Sequence, residues 1–330
     1  MKARISGLGH ALGEQETHNH YFVDLGLETS DEWITERTGI KSRYIASEET
    51  STSDLATKAA QHCIQNASID KSNIDLIIVA TSTPDYLSFP STACLVQEKL
   101  KLGPIGAFDL SAACSGFSFA LSTARSFIES NMYKNILVIG ADCLSKITNF
   151  EDRGTCILFA DGAGAALVTQ TVEGETGGII DSSLHSDGSK AELLMIPKGG
   201  SKYPLNTSIT DEKSHYITMD GKGVFKSAIS IVIPAIKSML NKHNLNINDL
   251  SYLVCHQANK RILDKIANSI GLDKDKLVVN VTKYGNTSAA TIPIALSELN
   301  EEKKLQKGDL ILLAGFGAGF TWGLNLIEWS

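Results

Sequence analysis

The chain has 330 residues, of which 43% are hydrophobic and 20% charged, so it can bury a large core as one big domain or two fused ones. Its formal net charge of -7 argues against a general nucleic-acid binder. The start of the chain lacks the apolar run of a signal peptide, and the apolar run 310–320 is glycine-broken and too short to cross a bilayer, so we expect a cytoplasmic protein without a membrane partner.

One pattern of predicted elements occurs twice along the chain. The first copy comprises a helix over 55–64, strands at 76–80 and 105–110, a helix over 117–128 and a strand at 136–140. The second comprises a helix over 225–240, strands at 252–255 and 277–281, a helix over 292–299 and a strand at 310–313. Such alternation predicts largely parallel sheets covered on both faces. We therefore expect two duplicated α/β halves, 1–172 and 173–330, with the polar stretch 197–215 as a loop at a substrate entrance.

Cys114 is the predicted nucleophile. It lies in the small-residue turn 111–116 between a predicted strand and a helix, where the unpaired N–H groups of a helix N-terminus favour a thiolate. Those N–H groups could also hold an oxyanion. A buried structural cysteine is the alternative that position alone leaves open.

The other five cysteines are expected to be free thiols, because they stand singly without a metal or disulfide spacing. Three of them, Cys63, Cys94 and Cys156, lie within apolar patterns and are predicted to be buried. The sequence alone does not exclude a catalytic role for Cys143 or Cys255. No metal site is predicted.

His256 and Asn286 are the predicted partners of this thiol. His256 ends a predicted strand, and Asn286 lies in the second half at the point that corresponds to Cys114 in the first. If the halves pack by pseudo-twofold symmetry, the two turns face one another. An asparagine amide and a neutral histidine N–H can both donate to a thioester oxygen, but asparagine cannot remove a carbon-bound proton. The set therefore suits a carbanion that arises by loss of carbon dioxide.

Eight motifs then carry a resemblance that spans almost the whole chain. They are SDEWITERTG at 30–39, FPS at 89–91, SAACSGF at 111–117, DRGT at 152–155, DGAG at 161–164, HQAN at 256–259, YGNTSA at 284–289 and GFGAGFTWG at 315–323. Each is weak alone, but their order and spacing are specific. With them the chain resembles the β-ketoacyl-acyl-carrier-protein synthase III family, the initiating condensing enzymes of type II fatty acid synthesis.

The resemblance implies a thiolase-like α/β fold, with two duplicated halves whose central mixed sheets form a five-layered αβαβα arrangement, and a homodimer. It implies a Cys114–His256–Asn286 triad that takes an acyl group, acetyl above all, from acyl-CoA and condenses it with malonyl-acyl carrier protein, without a cofactor. The oxyanion hole would be the backbone N–H groups of Cys114 and Ala318, although many members carry glycine where this chain has Ala318.

The resemblance also assigns the substrate contacts. Trp33 and Arg153 would sandwich the adenine of coenzyme A, Arg37 would bind its phosphates, and Gly221 would lie beside its pantetheine. Asn259, counted with the coenzyme A site, would help to order the active-site water and hydrogen bonds. Phe89 would reach the acyl pocket of the partner subunit. The residues of the basic rim for the carrier protein would be Lys226, Lys260, Arg261 and Lys265.

Several other functions remain alternatives. A related condensing or acyl-transfer enzyme of secondary metabolism would use a starter other than acetyl. A papain-like thiol hydrolase shares the order Cys, His, Asn but not the cysteine's surroundings or the duplicated pattern. A thiolase or hydroxymethylglutaryl synthase needs a cysteine or glutamate base that these motifs lack, and an intact triad argues against a non-catalytic acyl-binding relative. A dinucleotide-binding loop at 315–319 is not expected, because the eleven residues after Gly319 are too few for the helix and the next strand of a Rossmann unit.

Overall fold

The structure is a computed structural model that describes residues 2–171, 174, 176–206 and 212–330. The predicted boundary between residues 172 and 173 lies outside the described residues, as do residues 207–211 of the predicted entrance loop. The described parts of that loop are 197–206, which contain no helix or strand, and 212–215, which form a short 3₁₀ helix.

The strands are β1 (Ala3–Leu12), β2 (Gln15–His18), β3 (Ser42–Ile45), β4 (Leu76–Ala80), β5 (Gly106–Leu110), β6 (Asn135–Cys143), β7 (Asp161–Gln170), β8 (Gly178–Ser186), β9 (Leu194–Met195), β10 (Thr218–Met219), β11 (Tyr252–Cys255), β12 (Leu310–Gly317) and β13 (Thr321–Glu328). The α-helices are α1 (His20–Asp24), α2 (Asp31–Thr38), α3 (Thr52–Ala67), α4 (Thr92–Lys99), α5 (Gly116–Glu129), α6 (Arg153–Cys156), α7 (Gly221–Lys242), α8 (Lys260–Ile270), α9 (Val281–Tyr284) and α10 (Thr291–Glu301). Nine of the ten predicted elements are confirmed.

Two mixed sheets form the frame of the described chain. The first has the order β1-β7-β6-β4-β5, and its inner strand β4 is buried along its whole length, as its apolar sequence predicts. The second has the order β11-β12-β13-β8.

The largely parallel sheets predicted from the alternation of elements are wrong, whereas the mixed sheets that the resemblance implies are confirmed. Strands β4, β5 and β6 pair in parallel, as do β11 and β12, but β1, β7, β13 and β8 join in antiparallel. Only residues 318–320 connect β12 to β13, and so short a connection permits an antiparallel hairpin but no parallel crossover.

Helices and sheets alternate in five layers, αβαβα. Helices α5 and α10 are buried between the two sheets in one apolar core, which includes Phe117 and Leu296. Helix α3 covers the outer face of the first sheet, and α7 and α8 cover that of the second. The fold is that of the thiolase superfamily.

Helix α7 has the length and hydropathy of a membrane span. Nevertheless, Ala228, Val232 and Ile236 on one of its faces are buried against the second sheet. Its apolar composition is therefore that of a helix packed on the core of the protein.

The duplication is visible at the two central helices. A 3₁₀ turn over Ala113–Ser115 leads directly into α5, and a second over Ser288–Ala290 leads directly into α10. Each begins at a non-glycine residue with positive φ, 47° at Ala113 and 53° at Ser288. The two turns contact each other, so the corresponding points of the two repeats meet at the junction.

Two other sequence predictions are wrong. The predicted strand 277–281 is reduced to a bridge at Leu277, because the Gln257 carboxamide takes the backbone bonds of Val278, Asn280 and Val281 that a neighbouring strand would have made. Cys94 is exposed, because α4 buries Thr92, Ala93 and Val96 and position 94 lies outside that stripe.

Candidate active site

The three predicted catalytic residues line one cavity of about 220 Å³. Cys114 comes from the turn before α5, His256 from the end of β11, and Asn286 from the segment between α9 and α10. Their exposed fractions are 7%, 2% and 5%. The fold thus brings together three residues that are far apart in the chain and shields them from bulk water.

The Cys114 thiol is protonated in the resting protein. Burial raises its pKa to about 12, which its hydrogen bond with Ser288 offsets only in part. Desolvation therefore opposes the stabilisation of a thiolate that is expected at the helix N-terminus. The proton must leave as the sulfur attacks.

His256 is neutral. Burial lowers its pKa to about 3, and a hydrogen bond to the Ser288 carbonyl opposes this shift only weakly. Its Nδ1 lies 2.8 Å from Oγ1 of Thr291, and Phe316 packs edge-on against the ring. With Nδ1 occupied, Nε2 is the nitrogen left for the cavity.

Asn286 is held on both sides by backbone bonds to the first half. Its N–H donates to the Leu158 carbonyl at 2.9 Å, and its carbonyl accepts from Ala160 at 3.0 Å. Its side-chain Oδ1 accepts from the Ser288 N–H at 2.9 Å. Because the oxygen is used in this way, the amide NH₂ is the part that can donate to a ligand.

A second, more apolar cavity of about 220 Å³ also reaches Cys114. It is lined by Leu144, Ile147, Phe159, Leu194, Met195, Ile196, Ile217 and Ala318, with Ser82, Ala113 and Ser288. The sulfur therefore lies where the cavity that holds the three predicted catalytic residues meets a second, more apolar space.

The backbone of Ala318 has no positive φ, so its methyl group causes no backbone strain. Gly317 before it approaches Cys114 so closely that a β-carbon there would lie 2.8 Å from the Cys114 nitrogen. The loop that carries the Ala318 N–H thus abuts the nucleophile.

The residues expected to contact coenzyme A line the first cavity: Trp33, Arg37, Arg153, Gly221 and Asn259. The guanidinium of Arg153 lies 4.5 Å from the Trp33 ring centre and donates to the Glu28 carbonyl. The pair is therefore stacked on itself, without room for a base between the two groups.

Asn259 also connects two helices beside the cavity. Its Oδ1 caps α8 by accepting from the Arg261 N–H at 2.8 Å, and its Nδ2 donates to the Arg37 carbonyl at 3.2 Å. It therefore ties α8 to α2 on the wall of the cavity.

Phe89 lies apart from both cavities and is 84% exposed. Tyr86 and Leu87 beside it are also exposed.

The basic rim predicted for the carrier protein is mostly exposed. Its exposed members are Lys226, Arg261 and Lys265, whereas Lys260 forms an ion pair with Asp264 at 2.7 Å.

Sequence reasoning missed Asp142, a fully buried carboxyl at the junction of the halves. It accepts from the N–H groups of Ser82 at 2.7 Å, Thr83 at 3.1 Å and Ala289 at 3.1 Å, and it also bonds Ser288. Burial raises the pKa of Asp142. An aspartate within the apolar strand 136–143 was the signal that could have revealed it.

The fold and this site define a class of protein, the thiol-dependent condensing acyltransferases of the thiolase superfamily. The family described as 3-oxoacyl-[acyl-carrier-protein] synthase III matches residues 108–188, and its C-terminal domain matches residues 240–329. The β-ketoacyl-[acyl-carrier-protein] synthase III of Clostridioides difficile is 46% identical over 329 residues, which cover 100% of this chain and 99% of that protein.

Solved structures agree with these matches. The 3-oxoacyl-[acyl-carrier-protein] synthase III of Aquifex aeolicus has a TM-score of 0.91 at 43% identity and covers 99% of this chain and 100% of its own. A priming β-ketosynthase of the R1128 polyketide pathway has a TM-score of 0.90 at 30% identity, with 100% and 97% covered. The chain belongs to the β-ketoacyl-acyl-carrier-protein synthase III family. Neither the secondary-metabolism alternative nor the papain-like hydrolase is favoured by this membership.

Proposed function

We propose that the chain catalyses the first condensation of type II fatty acid synthesis. An acyl group, acetyl above all, passes from coenzyme A to Cys114 and then condenses with malonyl-acyl carrier protein to give 3-oxoacyl-acyl carrier protein. The observation that carries this proposal is that Cys114, His256 and Asn286 line one buried cavity.

In the first half-reaction, Sγ of Cys114 attacks the thioester carbonyl and the bond to the coenzyme A sulfur breaks. The thiol proton passes through His256 Nε2 to that leaving sulfur, so that no charge remains in the site. A buried thiol beside a neutral imidazole suits this coupled transfer, because neither group is ionised at rest. The backbone N–H groups of Cys114 and Ala318 would hold the oxyanion.

In the second half-reaction, malonyl-acyl carrier protein loses carbon dioxide, and the electron pair moves to its thioester oxygen. The amide of Asn286 and an N–H of His256 would donate to this enolate oxygen. Its carbon then attacks the acyl group, a carbon–carbon bond forms and the bond to Sγ breaks. The thiolate of Cys114 takes one proton from water.

Coenzyme A is proposed to enter along the wall that carries Trp33 and Arg37. Its adenine would separate Trp33 from Arg153, Arg37 would pair with phosphate, and Gly221 and Asn259 would flank the pantetheine. An indole and a guanidinium both stack on a flat base, which supports this assignment.

The proposed catalytic residues are divided between the two halves of the chain. The first half, 1–172, would carry the nucleophile Cys114, and the second half, 173–330, would carry His256 and Asn286.

A homodimer is part of the proposal. Tyr86, Leu87 and Phe89 form an exposed apolar segment, which a partner subunit would cover and through which Phe89 would reach the partner's acyl pocket.

The acidic carrier protein would bind to the basic rim formed by Lys226, Lys260, Arg261 and Lys265. Lys260 would contribute less than the others, because its charge is paired with that of Asp264. We further propose that the enzyme works in the cytoplasm, without metal or cofactor, nucleic acid or membrane.

The experiment is a mass measurement followed by a condensation assay. Acetyl-CoA should increase the intact mass by one acetyl group, which Cys114→Ala should abolish and Cys94→Ala, a change at an exposed cysteine, should leave. Addition of malonyl-acyl carrier protein should then release carbon dioxide and form acetoacetyl-acyl carrier protein. Label on another cysteine would refute the assignment, and a panel of acyl-CoAs would define the starter.

A further inference from the structure

The hydroxyl of Thr291 has two possible hydrogen-bond acceptors. Its Oγ1 lies 2.8 Å from Nδ1 of His256 and 2.9 Å from the carbonyl oxygen of Ser288. Thr291 is the first residue of α10 and is buried. A hydroxyl carries one proton, so it can donate to only one of these acceptors at a time.

The two choices fix different tautomers of His256. If Thr291 donates to Ser288, its oxygen accepts from Nδ1–H, and Nε2 faces the cavity with a lone pair. If Thr291 donates to Nδ1, the ring proton must be on Nε2. In a neutral imidazole the hydrogen bond at one nitrogen thus decides the role of the other.

The half-reactions of the proposed function require opposite tautomers. Acceptance of the Cys114 proton needs a lone pair on Nε2, whereas donation to the enolate oxygen needs Nε2–H. Because His256 rests in the neutral form, one ring proton has to serve both roles.

We propose that Thr291 is a positioning residue that allows His256 to change tautomer between acylation and decarboxylation, by turning its hydroxyl from Ser288 to Nδ1. In the change, water gives one proton to Nε2 and takes one from Nδ1, so that the ring stays neutral overall. Among the described contacts of Nδ1, the Thr291 hydroxyl at 2.8 Å is a group that can donate a hydrogen bond to it. Without this hydroxyl, an unprotonated Nδ1 loses the donor that supports it, so the Nδ1–H tautomer is favoured.

This inference rests on the proposed function, and two substitutions test it. Thr291→Val keeps the shape and removes the hydroxyl, while Thr291→Ser keeps the hydroxyl and is the matched control. Acylation of Cys114 by acetyl-CoA and carbon dioxide release from malonyl-acyl carrier protein are measured separately. Thr291→Val should keep acylation within about threefold and slow carbon dioxide release by about 10- to 100-fold, since one donor to the oxyanion is lost. Thr291→Ser should show both acylation and carbon dioxide release at rates close to those of the wild type.

Equal slowing of both half-reactions by Thr291→Val, or of neither, would overturn the proposal, because a merely structural role predicts no split. Nitrogen-15 NMR of the His256 ring provides a readout independent of activity. The wild type should populate the Nε2–H tautomer, and Thr291→Val should show Nδ1–H alone. An Nε2–H signal that persists in the variant would contradict the proposal.

If the valine variant does not fold, Thr291→Ala removes the same hydroxyl, and the same split and spectrum are expected. The NMR spectrum also separates the two claims. A wild type that is not acylated refutes the proposed function, whereas the ring tautomer still tests Thr291.

Discussion

Gly317 and Cys114 are packed so closely that a side chain at position 317 has no room. A β-carbon there would lie 2.8 Å from both the Cys114 nitrogen and the Cys114 β-carbon. The end of β12 therefore fixes the position of the nucleophile from the second half of the molecule.

Gly317→Ala should displace this turn. We expect a loss of about 1–3 kcal/mol in the free energy of unfolding, as for other overpacked sites. Acylation of Cys114 by acetyl-CoA should also slow, because the sulfur moves relative to the oxyanion donors. Denaturant unfolding and intact mass over time measure the two effects.

Ala318→Gly is the matched control for that substitution. It removes a methyl group at the wall of the apolar cavity and creates no clash. Acylation by acetyl-CoA should change little, while longer acyl-CoAs should be accepted more readily. If Gly317→Ala is as well tolerated as Ala318→Gly, the backbone around Cys114 is more compliant than the packing indicates.

The contact between Trp33 and Arg153 predicts that coenzyme A opens a slot that is closed at rest. Their separation of 4.5 Å is too small for a base, since two stacked contacts need about 7 Å. Binding of coenzyme A should therefore change the Trp33 fluorescence, which Trp322→Phe and Trp329→Phe help to isolate.

Arg153→Ala tests the energetic side of the same slot. It removes one face of the sandwich, so the KM for acetyl-CoA should rise by about 3- to 30-fold, as expected for a lost cation–π stack. The kcat should change little, because Arg153 is not proposed to touch the reacting atoms. A fall in kcat at unchanged KM would contradict this assignment.

Apolar spacing was sufficient to predict most of the fold. The strands 76–80 and 252–255 were placed correctly because buried parallel strands are continuous apolar runs. The strand 277–281 was not, because its apolar residues are the same whether a strand or the Gln257 side chain satisfies the backbone. Hydropathy does not distinguish these two cases.

The site was predictable only as far as motifs and the repeat allowed. The repeat placed Asn286 opposite Cys114, and both line one cavity. Asp142 and Thr291 were missed, because their importance depends on bonds across the junction that have no sequence spacing. The raised pKa of the Cys114 thiol could not be predicted either, because burial depends on the whole fold and not on the local helix start.

Asn286→Asp should separate the two half-reactions. The carboxylate keeps an acceptor for the Ser288 N–H but removes the NH₂ donor. Release of carbon dioxide from malonyl-acyl carrier protein should slow by about 10²- to 10³-fold, the usual effect of one lost oxyanion donor.

Acylation of Cys114 in the same variant should stay within about tenfold of the wild type, because the oxyanion of that step is assigned to backbone N–H groups. Asn248→Asp, a change at an exposed asparagine outside both cavities, controls for added negative charge. A variant that loses acylation and decarboxylation to the same extent would show that Asn286 shapes the site as a whole.

His256 predicts how stability depends on pH. Its pKa falls from an ordinary value of 6.5 to about 3 on burial, so below pH 6.5 the unfolded chain binds a proton that the folded chain does not. The stability contributed by His256 is thus complete above pH 6.5 and is lost as the pH falls towards 3.

The uptake of one such proton corresponds to a slope in the unfolding free energy of at most about 1.4 kcal/mol per pH unit. His256→Gln should reduce the slope of unfolding free energy between pH 6 and pH 4 by an amount near this limit, measured by denaturant unfolding at each pH, whereas His18→Gln, at an exposed histidine of β2, should not. Equal slopes in wild type and His256→Gln would mean that the imidazole is protonated inside the folded protein, and the neutral pair proposed for acylation would have to be abandoned.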